Sequence, residues 1–468
     1  MLATAAPHNA DAEALLLVEA DSGKVLHAEN ATYPWYPASV TKLMTTYVTL
    51  KAVKEGRITL DSVFTVSPTA AAEAPSKMGF RAGTQVTVDN ALKMMMVKSA
   101  NDMAVVLAEG VSGSIDAFSE EMNLTAQRLG MTQTHYVNPN GLPAEGQVTS
   151  ARDLAILARA IIRDMPEYEY FVHIPAIRFG KRVTPNFNRL IGRYPGADGM
   201  KTGFICASGF NLVASATRDG RRLIAVVLGA SSSQARAIKA IQLLDRGFSS
   251  NSLTWLQPAL GTVDNLAPID AMPPNLRDEV CGPKRKRPAS DESPEDLMAS
   301  EQNAGNATMS FFSGLQTPSL RPVDMLAAAP APTEPVVVYT GPKKSGAALI
   351  AAVEADSAKP APKPRSKKQH AATDKSAKPT ASSAADTKVG TKPDGRKSVT
   401  LDPKTSVAKP AAAPKQAPRP AAGAVKPALS AAKPAADKPA ADKPKAAKPA
   451  PKANTTDAKP APESKPKS

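Results

Sequence analysis

The chain has 468 residues and a formal net charge of +15. That charge is uneven, because residues 1–260 carry 25 Lys and Arg against 22 Asp and Glu, so the basic excess lies in the remainder. Two cysteines are too few for a scaffold built on disulfides, and no stretch is apolar for long enough to span a membrane. A nucleic-acid partner is not expected, because the basic remainder lacks interleaved aromatic residues.

The composition divides the chain into four parts. Residues 1–12 are predicted to be an N-terminal remnant or linker, and residues 13–250, which mix apolar runs with Gly-marked turns, a folded domain. Residues 251–327 are predicted to be an irregular segment. Residues 328–468 are mostly Ala, Pro and Lys, which bury too little surface to offset the entropy of folding, so we predict a disordered basic tail.

In chain order, the predicted elements begin with a hairpin over residues 14–30. Apolar residues at helical spacing then predict helices over 40–54, 89–98, 103–109 and 115–129, with a break at 99–102. A further helix is predicted to begin at a capping box formed by Ser150 and Asp153. Two strands, 211–217 and 222–228, flank an Asp219-Gly220 turn before a last helix over 233–248. Hairpins bracket the helices, which predicts an α+β fold: one mainly antiparallel sheet built from both chain ends, with helices packed on it.

Ser39-Val40-Thr41-Lys42 places a hydroxyl and an amine three residues apart at the start of a helix. Positions i and i+3 share a helix face, so Lys42 is within reach of Ser39 and can accept its proton. The helix N-terminus adds backbone N–H groups where an oxyanion would develop. Taken alone, the pattern is more often a capping serine followed by a solvated lysine.

Two further short motifs follow. Ser99-Ala100-Asn101 lies at the helix break, where a hydroxyl and an amide suit proton relay and substrate binding, although both residue types favour turns anyway. Lys201-Thr202-Gly203 begins an apparent edge strand, where Lys and Thr can bind a carboxylate and Gly lets a ligand's backbone lie close. The ordered set S-x-x-K, S-x-N and K-T-G is typical of class A β-lactamases and penicillin-binding proteins, which have S-D-N in the middle.

The surrounding stretches resemble the low-molecular-mass, serine-type D-Ala-D-Ala carboxypeptidases of the penicillin-binding protein family. The resemblance is carried by residues 36–45, 138–142, 151–154 and 209–217, and it covers about residues 10–248. It implies a β-lactamase/transpeptidase-like catalytic domain over 13–250. It also implies a hydrolase that needs no cofactor or metal, the peptidoglycan stem peptide as substrate, and β-lactam antibiotics as inhibitors.

The resemblance implies four catalytic residues. Ser39 is the nucleophile that attacks the carbonyl between the two terminal D-alanines, and Lys42 is the base for acylation. Ser99 and Asn101 line the opposite wall, and Ser99 relays a proton toward the leaving amine.

The resemblance also implies a substrate-binding set. Lys201 and Thr202 are expected to hold the terminal carboxylate, and Gly203 to give room for the substrate backbone. The backbone N–H groups of Phe204 and of the nucleophile are expected to form the oxyanion hole. Arg236 matches a second carboxylate-binding position of the family, although a charged residue at a helix start also explains it.

Beyond residue 250 the resemblance stops. Residues 251–327, with the basic run 284–287, do not match the β-rich second domain of many family members, and the Lys-Pro-Ala repeats cannot form their amphipathic membrane helix. The tail is hypothesised to bind anionic envelope polymers through its lysines. A periplasmic or envelope location is expected, although residues 1–12 lack the features of an export signal.

Several alternatives stay open at this stage. Cys206 and Cys281 either pair, pinning residues 249–281 against the catalytic strand, or remain separate thiols. A β-lactamase is disfavoured, because Glu145 lacks the usual E-x-x-x-N setting of a deacylating base. A D,D-endopeptidase that cuts cross-links shares all three motifs, and a non-catalytic wall-binding protein would act through the basic tail.

Overall fold

The computed structural model describes residues 13–249, 260–283 and 321–351. The predicted remnant 1–12, the basic run 284–287 and the Lys-Pro-Ala repeats lie outside these ranges, as does any contact of the tail with anionic polymers. No helix within the described ranges is long and apolar enough to cross a membrane.

A five-stranded antiparallel sheet forms the centre of the fold, and both chain ends contribute to it as predicted. Its strands run in the spatial order β2 (Val25–Glu29), β1 (Ala14–Glu19), β9 (Arg221–Ala230), β8 (Gly209–Arg218) and β7 (Ala197–Ile205). Eight consecutive residues of β9 are buried, so both faces of the sheet are covered. The strand at one edge, β7, contains the K-T-G motif.

The helices of the domain include the predicted ones in the predicted order, with boundaries that differ by a few residues, and two short helices, α2 and α7, that were not predicted. They are α1 (Lys42–Lys54), α2 (Pro68–Ala72), α3 (Val88–Lys98), α4 (Asn101–Ser112), α5 (Ile115–Leu129), α6 (Ala151–Asp164), α7 (Tyr170–His173) and α8 (Ser233–Ser249). Helices α6 and α8 both pack on β9. The Ser150 hydroxyl accepts a hydrogen bond from the Asp153 N–H, which confirms the predicted helix start.

Two smaller sheets were not predicted from the sequence. One pairs β3 (Val63–Thr65) with β4 (Gln85–Thr87), and the other contains β5 (Ala176–Phe179) and β6 (Arg182–Pro185). Each strand has three or four residues, which is too short for the alternation of apolar and polar positions to stand out.

The predicted start of the tail at residue 328 is wrong, because the segment 321–351 packs on the domain. It contains a helix, α10 (Pro322–Ala327), and a strand, β10 (Val336–Val337), that pairs in parallel with β5. The N–H groups of Ala331 and Gly341 donate to Gly192 and Gln85, at 2.7 Å each. A run of apolar residues, 336–339, supplies the strand. The run is short and lies among many Ala, Pro and Lys residues, so the composition of residues 328–468 taken as a whole does not reveal it.

The segment 260–283 is mostly irregular and ends in a short helix, α9 (Arg277–Cys281). Cys281 forms a disulfide with Cys206, which follows β7, so the structure favours pairing over separate thiols. The Leu276 N–H donates to the Ala207 carbonyl at 3.0 Å. These two links hold the segment against the end of the strand that carries the K-T-G motif.

Candidate active site

The turn before α1 presents Ser39. It is a 3₁₀ helix, Ala38–Thr41, in which Ala38 is buried and has a left-handed φ of +49°. A non-glycine residue adopts this conformation at a cost of about 1–3 kcal/mol, and surrounding contacts must hold it there. The Asn211 side chain provides two of them by donating to the carbonyls of Tyr36 and Pro37, at 3.0 and 3.1 Å. Ser39 itself stays partly exposed.

Lys42 is fully buried one helical turn after Ser39. Its Nζ lies 2.8 Å from Ser39 Oγ, 2.8 Å from Asn101 Oδ1 and 2.6 Å from the Asn140 carbonyl oxygen. These three oxygens fix the amine against the nucleophile. The alternative of a capping serine with a solvated lysine is therefore wrong.

The break between α3 and α4 brings the second motif to the same point. Ser99 ends α3 with a left-handed φ of +59°, and Asn101 begins α4. The Asn101 amide also donates to the Ala74 carbonyl at 3.0 Å, which orients its oxygen toward Lys42. The Ser99 hydroxyl accepts a hydrogen bond from Lys201 Nζ at 3.0 Å, so the second and third motifs are directly joined.

Strand β7 lies directly against the nucleophile turn. A Cβ on Gly203 would lie 2.8 Å from the Ser39 nitrogen and 2.9 Å from the Val40 nitrogen, so no larger residue fits. The neighbouring Thr202 hydroxyl is buried and has no hydrogen-bond partner among the described residues. A buried hydroxyl without a partner is unusual, and a ligand carboxylate would satisfy it.

A cleft of about 250 Å³ opens above Ser39. It is bordered on one side by the second motif, on another by β7 and the turn after it, and by the loop after α5. Its lining residues are Ser39, Pro75, Ser76, Ser99, Asn101, Gly141, Leu142, Pro143, Phe187, Phe204, Ile205, Cys206, Ala207 and Arg277. Ser39, Ser99 and Asn101 thus face one space that can hold a small peptide end.

Arg236 lies behind β7. Its side chain is buried and donates to the carbonyls of Gly203 and Asn211, at 3.4 and 3.3 Å, and its guanidinium lies over the Phe210 ring. Phe210 in turn packs on Phe204, with ring centroids 4.3 Å apart. In this arrangement Arg236 supports the strand that borders the cleft, and its role in carboxylate binding stays a prediction.

The loop after α5 contributes residues to which the sequence analysis assigned no role. Gly141, with a φ of +84°, approaches so closely that a Cβ there would lie 1.8 Å from the Ala38 carbonyl oxygen. Asn140 accepts from Lys42 through its carbonyl, and its side-chain amide donates to Glu73 at 3.1 Å. The stretch 138–142 was part of the family resemblance. Its two asparagines next to a glycine are the sequence feature that could have identified these residues as part of the site.

Glu73 adds a negative charge near the nucleophile. Burial raises the pKa of its carboxyl above the ordinary value, whereas the nearby Lys42 charge and the hydrogen bond from Asn140 oppose that rise. Glu73 therefore interacts electrostatically with Lys42 and touches the same loop. A half-buried carboxylate linked to a catalytic amine is a candidate for setting that amine's charge.

Taken together, the side chains form a site for nucleophilic catalysis. A serine hydroxyl lies against a buried amine, an asparagine oxygen holds that amine, and a second lysine holds the second serine hydroxyl. Five of the predicted residues take part: Ser39, Lys42 and Asn101 form one hydrogen-bonded group, and Ser99 and Lys201 form a second. The arrangement can form an ester on Ser39 and move a proton between the nucleophile and a leaving group.

Comparisons with known proteins agree with this geometry. A family model described as D-alanyl-D-alanine carboxypeptidase matches residues 1–232. The D-alanyl-D-alanine carboxypeptidase DacC of Escherichia coli is 42% identical over 246 residues, covering 51% of this chain and 61% of that protein. DacB2 of Mycobacterium tuberculosis is 31% identical over 223 residues, covering 46% of this chain and 74% of that protein. The chain spans less than two thirds of several curated relatives that it matches, DacC among them.

Solved structures show the same fold. Penicillin binding protein 5 from Haemophilus influenzae is 38% identical, with a TM-score of 0.50 over 52% of this chain and 72% of that one. The D-alanyl-D-alanine carboxypeptidase DacD from Francisella tularensis is 32% identical, with a TM-score of 0.50 over 50% of this chain and 70% of that one.

Proposed function

This chain belongs to the D-alanyl-D-alanine carboxypeptidase family of serine peptidases, and from that premise we propose that it removes the terminal D-alanine from peptidoglycan stem peptides. The observation that carries the proposal is the 2.8 Å contact between Lys42 Nζ and Ser39 Oγ at the base of the cleft. A buried amine at hydrogen-bond distance from a serine hydroxyl is the arrangement that activates a serine nucleophile.

In the acylation step, Ser39 Oγ attacks the carbonyl between the two D-alanines while Lys42 takes its proton. The new C–O bond replaces the C–N bond, and the leaving amine receives a proton through the Ser99 hydroxyl. Asn101 keeps Lys42 oriented through the 2.8 Å contact to its Oδ1. A water then attacks the ester, which returns the proton to Ser39 and releases the shortened peptide.

The substrate's C-terminal end is assigned to β7. Lys201 supplies a positive charge and Thr202 an unpartnered buried hydroxyl, which together suit the terminal carboxylate. The backbone N–H groups of Ser39 and Phe204 are assigned to the oxyanion that develops on the attacked carbonyl. The absence of a side chain at Gly203 lets β7 lie against the nucleophile turn, which keeps these two donors together.

The same chemistry makes β-lactam antibiotics covalent inhibitors in this proposal. A β-lactam amide carbonyl would acylate Ser39 as the peptide does, and the opened ring stays attached as the acyl group. Glu145 is exposed and is not among the residues that line the cleft, so it is poorly placed to activate a water for rapid release.

The proposed substrate and the disulfide both favour an exported protein. Peptidoglycan lies outside the plasma membrane, and disulfides form and persist in oxidising compartments such as the bacterial periplasm. The Cys206–Cys281 link therefore supports a periplasmic or cell-envelope location.

The proposal is tested by measuring D-alanine release from a pentapeptide that ends in D-Ala-D-Ala, with the full chain and its Ser39→Ala variant. We expect release by the unaltered protein and a rate at least about 10³-fold lower for the variant. The matched control is Ser22→Ala, which removes an exposed hydroxyl in the β1–β2 turn and should change nothing. Mass spectrometry after penicillin treatment should find the adduct on the peptide that contains Ser39. Equal release by Ser39→Ala, or no adduct there, would overturn the assignment.

A further inference from the structure

The cleft has a border that comes from outside the family-matched region. The family model ends at residue 232, whereas Arg277 belongs to α9, within the segment 260–283. Arg277 nonetheless lines the same cleft as Ser39 and Phe204. A side chain from the appended segment therefore faces the space in which the reaction is proposed to occur.

The position of Arg277 is fixed by its neighbours on both sides. Leu276 is buried and its N–H donates to the Ala207 carbonyl at 3.0 Å, and Val280 is buried on the same short helix. Cys281 is covalently joined to Cys206, which also lines the cleft. Arg277 thus projects from a segment that is attached at two points to the turn following β7.

Arg277 is the charged residue among the described residues that line this cleft, whereas Lys42 and Lys201 are buried behind the lining hydroxyl and amide groups. The other described residues that line it are apolar, hydroxyl-bearing, amide-bearing or disulfide-bonded. Arg277 is an exposed residue, and no ion pair joins its side chain to a carboxylate among the described residues. An exposed guanidinium at the edge of a substrate cleft is suited to bind a carboxylate through charge-assisted hydrogen bonds.

The direction of β7 indicates which part of the substrate would meet this charge. Lys201 and Thr202, assigned to the terminal carboxylate, lie in the middle of the strand. Ser39 lies beside the next residue, Gly203, and Cys206 follows the end of the strand. A strand advances about 3.3 Å per residue, so Cys206 lies roughly 13 Å beyond Thr202. A peptide laid along the strand with its C-terminus at Thr202 therefore brings the residue that precedes the two D-alanines to the Arg277 side of the cleft.

We propose that Arg277 is a specificity-determining residue that binds a free carboxylate on the stem-peptide residue preceding the two D-alanines. The inference rests on the proposed function, since it assumes that the substrate's C-terminus lies at Lys201 and Thr202. The disulfide positions Arg277 and takes no part in the chemistry.

The test compares two synthetic peptides that differ only in whether the residue before D-Ala-D-Ala carries a free carboxylate or its amide. For the unaltered chain we expect kcat/KM to be about tenfold higher with the carboxylate, because a guanidinium–carboxylate hydrogen bond is lost with the amide. Arg277→Gln should bring the ratio of the two values close to one, mainly by raising KM for the acidic peptide. Arg277→Lys should retain part of the preference.

Two further variants separate charge at this position from charge in general. Arg321→Gln removes the same charge from an exposed residue of the segment 321–351 and should leave the ratio unchanged. The double variant Cys206→Ser, Cys281→Ser keeps Arg277 but cuts its tether, and we expect the ratio to fall. An unaltered ratio in Arg277→Gln would overturn the proposal, and an unaltered ratio in the double variant would overturn the role of the tether. Failure of the proposed function gives a different result, since neither peptide would then release D-alanine.

Discussion

Residues 13–249 and the two appended segments, 260–283 and 321–351, are held in place by different means. In the first, a continuous antiparallel sheet and helices on both of its faces bury a network of motif side chains. The appended segments are attached by scattered backbone and side-chain hydrogen bonds, a two-residue strand, one disulfide and a few buried apolar side chains such as Leu276 and Leu326. We therefore expect the chemistry to depend on the domain, whereas the segment 260–283 borders the cleft and the segment 321–351 contributes to stability.

The largest effect is expected from the centre of the buried network. Replacing Lys42 with Ala removes the amine that contacts Ser39, Asn101 and the Asn140 carbonyl. We expect the rate of acylation by penicillin to fall by about 10³-fold, because a positioned base contributes roughly 10²–10⁴-fold. Stopped-flow measurement with a fluorescent penicillin gives that rate.

Its control is Lys54→Ala, which removes an exposed amine from the last turn of the same helix. This variant should acylate at the rate of the unaltered protein. A comparable loss in both would mean that the Lys42 effect reflects damage to α1 and not the loss of the base.

The next effect concerns a contact between two parts of the domain that are distant in sequence. Gly141→Ala would place a Cβ 1.8 Å from the Ala38 carbonyl oxygen, at a residue whose φ of +84° already disfavours a side chain. We expect a loss of about 3 kcal/mol in the free energy of unfolding and an acylation rate at least about tenfold lower, because the nucleophile turn must shift. Denaturant titration and penicillin labelling give the two values.

Gly146→Ala is the matched control, because Gly146 has a φ of +80° in the same loop but an added Cβ would meet nothing closer than 3.8 Å. It should cost about 1 kcal/mol, the backbone penalty alone, and leave acylation unchanged. Equal effects of the two substitutions would contradict the close contact with Ala38.

A moderate effect on stability alone is expected in the segment 321–351. Leu326 of α10 is 1% exposed, whereas Val323 of the same helix is 47% exposed. Leu326→Ala should lower the free energy of unfolding by about 2 kcal/mol. This value is at the low end for a buried Leu, because the segment can detach from the domain locally. Val323→Ala should lower it by less than about 0.5 kcal/mol. Neither should change kcat/KM. A fall in kcat/KM for Leu326→Ala would break the comparison, since the segment would then contribute to catalysis.

The smallest effect is a change in the pH dependence of acylation. Burial raises the pKa of Glu73, so below that raised value its carboxyl is neutral and Glu73→Gln should match the unaltered protein. Above it, the carboxylate favours the charged form of Lys42, which cannot accept a proton. At pH values above the pKa of Glu73, we therefore expect the Glu73→Gln variant to acylate about three- to tenfold faster than the unaltered protein. At still higher pH, where Lys42 is neutral in both proteins, the two rates should become equal again.

The control for this profile is Glu145→Gln, which removes an exposed carboxylate from the loop after α5. Its profile should follow that of the unaltered chain at every pH. A Glu73→Gln profile that does the same would show that the carboxylate has no influence on Lys42.

The centre of the site was predictable because each motif is local in sequence. Ser39 and Lys42 are one helical turn apart, and Ser99 and Asn101 occupy a helix break that apolar spacing already indicated. The contacts that hold these motifs join distant positions, as when Asn211 donates to the carbonyl of Tyr36, 175 residues earlier. No periodicity in the sequence reports such a pairing.

The appended segments were the least predictable part for the same reason. The strand β10 has two residues and gains its hydrogen bonds from β5, about 160 residues earlier in the chain, so local composition carries little information about it. The two cysteines left pairing and separate thiols equally open, and three-dimensional proximity decides between them. Arg277 carried no signal, because its placement at the cleft follows from that pairing.

The disulfide also closes a covalent loop, because Cys206 and Cys281 are 75 positions apart. That loop encloses β8, β9 and α8, so a single proteolytic cut anywhere between the two cysteines leaves both fragments joined. Such a nicked molecule would migrate as one chain on a gel without reductant and as two once the disulfide is reduced. Closing a loop of this length destabilises the unfolded chain by about 4 kcal/mol in the chain-entropy model. Because the peptide chain and the disulfide are two separate covalent connections, a nick and reduction together should release fragments that neither treatment releases alone.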